Sequence, residues 1–150
     1  MTTIVGIQGL DYALLVADSQ ITEDNLVTLA RGDDPVQFMG KKVIPSLITA
    51  FNDNNYDFNK VDKDGGFDYI LAFNGNIFRV ACDLSFFQAD NGAYGIGSGG
   101  QFALGYLTSV IKPDIELAYA KRHARKAVEI ASVLDANTGK PLQLVVQERF

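Results

Sequence analysis

Thr2-Thr3-Ile4-Val5-Gly6-Ile7-Gln8, then Gly9-Leu10-Asp11, then Tyr12-Ala13-Leu14-Leu15-Val16-Ala17-Asp18, is the stretch on which the reading of this chain turns. Residues 3–8 are short and rich in β-branched side chains, Gly9-Leu10-Asp11 is a turn signal, and residues 12–17 are an apolar run stopped by Asp18. Such a run, bounded by turn residues, predicts a strand buried on both faces. Further along, residues 26–30 suggest a third strand. Asp34 and Pro35 supply an N-cap and a first helical position. Val36, Met39, Val43, Leu47 and Phe51 then recur at helical spacing to about Asn52, with Pro45 expected to kink or interrupt the helix.

The polar segment 53–66 reads as a loop. A strand over 67–73, the Asn74-Gly75-Asn76 turn and a strand over 77–83 form an expected hairpin. Residues 85–88 turn at Asn91-Gly92 into a strand over 93–96. Gly97-Ser98-Gly99-Gly100 launches a helix over 101–111, Pro113 opens another to about Val133, and residues 142–147 close the chain as a strand. No repeat or linker interrupts this order. It argues one α+β domain with helices packed on antiparallel sheet.

The 150 residues are enough to bury roughly 70% of the extended-chain surface in one core. The net charge of −5 sits unevenly: residues 1–40 carry Asp11, Asp18, Glu23, Asp24, Asp33 and Asp34 against Arg31 alone, and the first lysine is Lys41. An acidic chain with no broad basic face argues against nucleic-acid binding. Its apolar runs are too short to span a bilayer, and polar threonines after Met1 argue against a signal peptide. The expectation is a cytoplasmic protein. A single cysteine and a single histidine exclude a disulfide framework and a Cys-rich or paired-His metal site.

Asp53-x-Asn55-x-Asp57 resembles the start of a calcium loop, but Phe58 replaces the glycine needed for its turn and Asp64 the terminal glutamate, so a plain hydrophilic loop is expected. Gly95-x-Gly97-x-x-Gly100 matches a dinucleotide fingerprint in letters only, because a second helix rather than a strand follows its helix. Neither cofactor nor metal is expected. His123, within Lys121-Arg122-His123-Ala124-Arg125-Lys126, reads as part of a solvated or subunit-contacting face, and Cys82 as a core residue in a strand. Chemistry without histidine or cysteine leaves an N-terminal threonine. Met1 before small Thr2 is the context for methionine removal, which would give Thr2 a hydroxyl beside an α-amine titrating near 7.7–8.0, about right for a general base.

Residues 1–6 together with Ala17-Asp18-Ser19 and Thr22 resemble the opening of proteasome β-subunits and their bacterial relatives. Ile96-Gly97-Ser98-Gly99-Gly100 and Phe102-Ala103-Leu104-Gly105 are similar to the family's Gly-Ser-Gly turn into a long helix. Asp135-Ala136-Asn137-Thr138-Gly139 is similar to its Asp-x-x-Ser-Gly turn, with threonine for serine. The resemblance spans residues 2–31 and about 67–147. It implies a four-layer αββα N-terminal-nucleophile sandwich and a threonine peptidase, working on polypeptide in a homo-oligomeric ring, with an unfolding ATPase as a possible feeder. It implies roles: Thr2 as nucleophile and its amine as base, Asp18 orienting the charge network, Ser98, Asp135 and Thr138 holding amine and water.

Two departures stand out. The family's lysine beside the nucleophile has no counterpart in Leu29-Ala30-Arg31-Gly32-Asp33-Asp34, and Arg31 does not exchange protons near neutral pH. Losing one such partner costs on the order of 10²–10³ in rate. A hairpin and helix expected before residue 35, with the oxyanion-hole glycine, have no counterpart either, which marks a shortened member and leaves Gly32 as the candidate donor. The competing expectation is a non-catalytic structural subunit of the same fold.

Overall fold

The computed structural model describes residues 3–18, 34–55 and 68–149. Strands β1 (Thr3–Gln8) and β2 (Tyr12–Ala17) pair antiparallel with Ile4 opposite Ala17. The candidate strand at 26–30 lies outside the described residues. Helix α1 (Pro35–Phe38) starts as the sequence predicts: the Asp34 carboxylate accepts from the N–H groups of Val36 and Gln37. It runs through a π turn (Met39–Val43) into α2 (Ile44–Asp53). Pro45 has no N–H to offer the carbonyl four residues back, and the ladder adjusts by reaching one residue further, from Ile44 N–H to Met39 O.

Strands β3 (Tyr69–Phe73) and β4 (Asn76–Val80) form the expected hairpin. Asn74 and Gly75 both take positive φ, 47° and 69°, as a two-residue type I′ turn requires. Strand β4 stops at Val80, shorter than its sequence suggests. Ala81 donates its N–H to the Ser85 carbonyl, so Cys82 lies in a partly exposed turn rather than in a core strand. Strands β5 (Phe86–Phe87) and β6 (Ala93–Gly97) precede helices α3 (Gly100–Val110) and α4 (Leu117–Leu134), and β7 (Gln143–Glu148) closes the described chain. Pro113 does not open α4. It belongs to the turn before it, whose Ile115 carbonyl accepts from the Tyr12 hydroxyl at 2.8 Å.

Among the described residues two antiparallel sheets result, ordered β6-β1-β2-β7 and β3-β4-β5. Period-two alternation sorts β1 and β2 cleanly. Val5, Ile7, Tyr12, Leu14 and Val16 face α3 and α4, meeting the alanine stripe Ala120, Ala124, Ala127 and Ala131. Each such aliphatic burial is worth about 1.5–3 kcal/mol. Ala13 and Leu15 face the second sheet and meet Ile77 of β4 there, alongside Tyr94 from β6 of their own sheet. On that sheet's far side Phe73, Phe78 and Val80 pack beneath α1 and α2 around Met39, with the Phe73 and Phe78 rings stacked at 5.2 Å. The layers are helix, sheet, sheet, helix, the αββα order that the chain's resemblance implies.

Candidate active site

The start of the described chain and the turn after α4 meet at one end of the first sheet. Antiparallel pairing puts Thr3 at the mouth of β1, with Asp18 following β2 beside it: Asp18 N–H donates to the Thr3 carbonyl at 3.2 Å, and Thr3 N–H donates to Asp18 Oδ1 at 2.8 Å. On the other flank Thr3 pairs with Gly97, which delivers Ser98 to the same place at the head of α3. Helix α4 runs back along the sheet and ends at Asp135, opening a turn in which Thr138 N–H donates to the Asp135 carbonyl at 3.1 Å.

The side chains connect. Ser98 Oγ and Thr138 Oγ1 each donate to Asp135 Oδ2 at 2.6 Å. Thr138 Oγ1 lies 2.6 Å from Thr3 Oγ1, and Gly139 N–H donates to Asp18 Oδ2 at 3.0 Å. Both oxygens of Asp18 are therefore held by backbone N–H groups from opposite ends of the chain. The Ser98 hydroxyl, followed by that of Thr138, holds the Asp135 carboxyl below the usual carboxylate range. Such bonds stabilise the ionised form, which keeps Asp135 an acceptor at neutral pH.

Gly99 makes this packing possible. A Cβ there would fall onto Thr3 Oγ1 and lie 2.6 Å from Thr138 Oγ1. Gly95 and Gly100 serve the same purpose nearby, where a Cβ on Gly95 would meet the Gly100 carbonyl. The glycine pattern that matches a nucleotide fingerprint in letters thus lets a helix sit closely on a strand.

Of the residues the sequence nominates, Asp18, Ser98, Asp135 and Thr138 come together; Thr2 and Gly32 lie outside the described residues. His123 is half-buried between α3 and α4, its Nδ1 2.8 Å from the Tyr106 hydroxyl. Sequence reading passes over Thr3 and Gly99. Strand alternation could have flagged Thr3, because it shares the inward face of Val5 and Ile7 and a polar side chain there needs a partner. Among the described residues no acidic, histidine or cysteine group is arranged to hold a metal ion, and no helix is long and apolar enough to cross a membrane.

Residues 72–147 match the proteasome subunit family, and the chain belongs to it. Solved structures share the fold at low identity. The chain is similar to Thiobacillus denitrificans BPH at 18% identity, covering 99% of this chain and 98% of that one with a TM-score of 0.66. The same protein in complex with epoxomicin aligns at 16% identity, 99% of each chain and a TM-score of 0.66. Eukaryotic HslV from Trypanosoma brucei aligns at 19% identity over 98% of this chain and 99% of that one, with a TM-score of 0.62. The Gly-1 mutant of Anbu from Hyphomicrobium sp. strain MC1 aligns at 15% identity over 99% and 82%, with a TM-score of 0.61. No curated protein sequence matches the chain. This is a proteasome-type subunit.

Proposed function

We propose that the chain is a threonine peptidase subunit whose nucleophile is Thr2, acting on polypeptide inside a homo-oligomeric ring. The observation that carries this reading is the convergence of Asp18, Ser98, Asp135 and Thr138 on Thr3, the residue bonded to Thr2. Thr3 is itself 0% exposed, so of the two adjacent threonines only Thr2 is a candidate to meet a substrate.

In the proposed reaction the Thr2 hydroxyl gives its proton to the α-amine, directly or through water, as Oγ1 bonds to the substrate carbonyl carbon. The carbon–nitrogen bond then breaks and that proton leaves with the new amine. Water attacks the resulting ester, releasing a carboxylic acid and restoring the Thr2 hydroxyl. Developing negative charge on the carbonyl oxygen needs a donor, for which Gly32 N–H is the candidate. Asp18 orients the backbone around Thr2. Ser98, Asp135 and Thr138 hold the amine and water. No cofactor enters. A single proteasome-like domain, cytoplasmic placement and an ATPase that feeds the chamber belong to the same proposal.

The second reading, a non-catalytic subunit, is favoured by one observation: no lysine precedes Lys41. Epoxomicin separates the two, since BPH, which shares this fold, is described in complex with it. The peptidase reading expects intact mass to show loss of Met1 and a single epoxomicin adduct, with Thr2→Ala abolishing both adduct and peptide cleavage. Retained Met1, or rings that never label, would instead leave the structural reading standing.

A further inference from the structure

The protons available around Asp135 fix the direction of the Ser98, Thr138 and Thr3 hydroxyls. An ionised carboxylate only accepts, and a threonine hydroxyl has one proton to give. Thr138 commits its proton to Asp135 Oδ2 at 2.6 Å. In its equally short contact with Thr3 Oγ1 it must therefore accept, which makes Thr3 the donor. The series runs from Thr3 to Thr138 to Asp135, where the Ser98 hydroxyl arrives from the other side.

Thr3 is held at three atoms. Its hydroxyl is committed to Thr138, its N–H to Asp18 Oδ1, and its carbonyl to Asp18 N–H. The Thr3 nitrogen is bonded to the carbonyl carbon of Thr2 in a planar peptide unit, so anchoring Thr3 N–H sets the plane from which Thr2 departs. The hydroxyl is not needed to fill space. Valine has nearly the same shape and suits a strand at least as well. What the hydroxyl adds is a directed bond from that plane to the Asp135 turn.

We infer that Thr3 is a positioning residue: the bond from its hydroxyl to Thr138 couples the peptide leading to Thr2 to the Asp135–Ser98 pair. It touches no substrate and acts only through its neighbour. The inference rests on the peptidase reading for its catalytic consequence, but the hydrogen-bond direction stands on this geometry alone.

The test compares the full chain with its Thr3→Val and Thr3→Ser variants, reading epoxomicin adduct formation, kcat and KM for a peptide, and the NMR titration of the Asp135 carboxyl. Thr3→Val is expected to slow labelling and lower kcat about ten- to hundredfold, with KM within about twofold, while Thr3→Ser restores most of the rate. Because a hydroxyl that accepts also donates more strongly, Thr3→Val is further expected to raise the Asp135 titration and Thr3→Ser to leave it low. If the valine variant does not fold, Thr3→Cys, whose thiol is a poor donor, takes its place. A valine or cysteine variant that labels and turns over like the parent overturns the positioning role. A parent that never labels defeats the peptidase reading instead, and the Asp135 titration then decides the inference: an upward shift in the valine variant supports the assigned direction, and no shift overturns it.

Discussion

Gly99 sits where two hydroxyls and a methyl meet, and its missing side chain is as essential to the site as any hydroxyl. Its Cα faces Thr3 Oγ1, Thr138 Oγ1 and the Ala131 methyl at once, and an added methyl has nowhere to go. Gly99→Ala is therefore expected to lower stability by about 1–3 kcal/mol, the usual cost of overpacking, read from the midpoint of urea unfolding. An unchanged midpoint would mean that the strand and helix are less closely set than this contact requires. Individual site residues were unevenly legible from sequence. Asp18, Ser98, Asp135 and Thr138 stood in motifs of distinctive spacing. Thr3 stood in the opening strand beside Thr2, yet its duty depends on a hydroxyl 135 positions away, which no local pattern reveals.

Among the elements, the β1–β2 hairpin and the turn before α4 are joined by one phenol. Burial, reinforced by the neighbouring Asp11 charge, pushes the Tyr12 hydroxyl up to about 12. The folded state thus favours the neutral phenol. The resulting stabilisation is complete below the unfolded value of about 10 and is lost as pH rises through about 12. Tyr12→Phe removes the donor to the Ile115 carbonyl and is expected to cost about 1 kcal/mol at neutral pH. The difference from the parent should narrow between about pH 10 and 12, in chemical denaturation across that range. Tyr69, also raised to about 12 by burial, should keep some of the alkaline loss in the variant. Elements with strong local signals were readable: the Asp34-Pro35 cap, the Asn74-Gly75 turn and the alternating strands. The start of α4 was not. Pro113 has the φ of a first helical residue, but the tertiary bond from Tyr12 holds Ile115 in a turn and delays the helix to Leu117.

Across the sandwich, stability depends on how closely the two sheets approach. Small residues set that distance. A Cβ on Gly6 would lie 3.2 Å from Leu15 Cδ2 and 3.3 Å from Ile77 Cδ1, so the position has room for little more than hydrogen. Gly6→Leu should force the sheets apart and lower stability by about 1–3 kcal/mol, again seen in urea. A neutral result would show that the sheets are not in contact there. The order of strands and helices made an α+β domain legible, while the four-layer plan came from the motifs that resemble the family. The pairing of β2 with β7 was not, since it joins segments with no sequence relation to each other.

That pairing also governs timing. Tyr12 lies opposite Glu148 and Ala17 opposite Gln143, so the strand that leads to Asp18 is completed by the last strand described. The turn that supplies Thr138 and Gly139 reaches Asp18 and Thr3 from the same late stretch of chain. Contacts of such sequence separation form slowly and only after the intervening chain exists. During synthesis the nascent polypeptide has no means of assembling this constellation early. Any cutting power it possesses is withheld, by connectivity alone, until the stretch from Thr138 to Glu148 has been made.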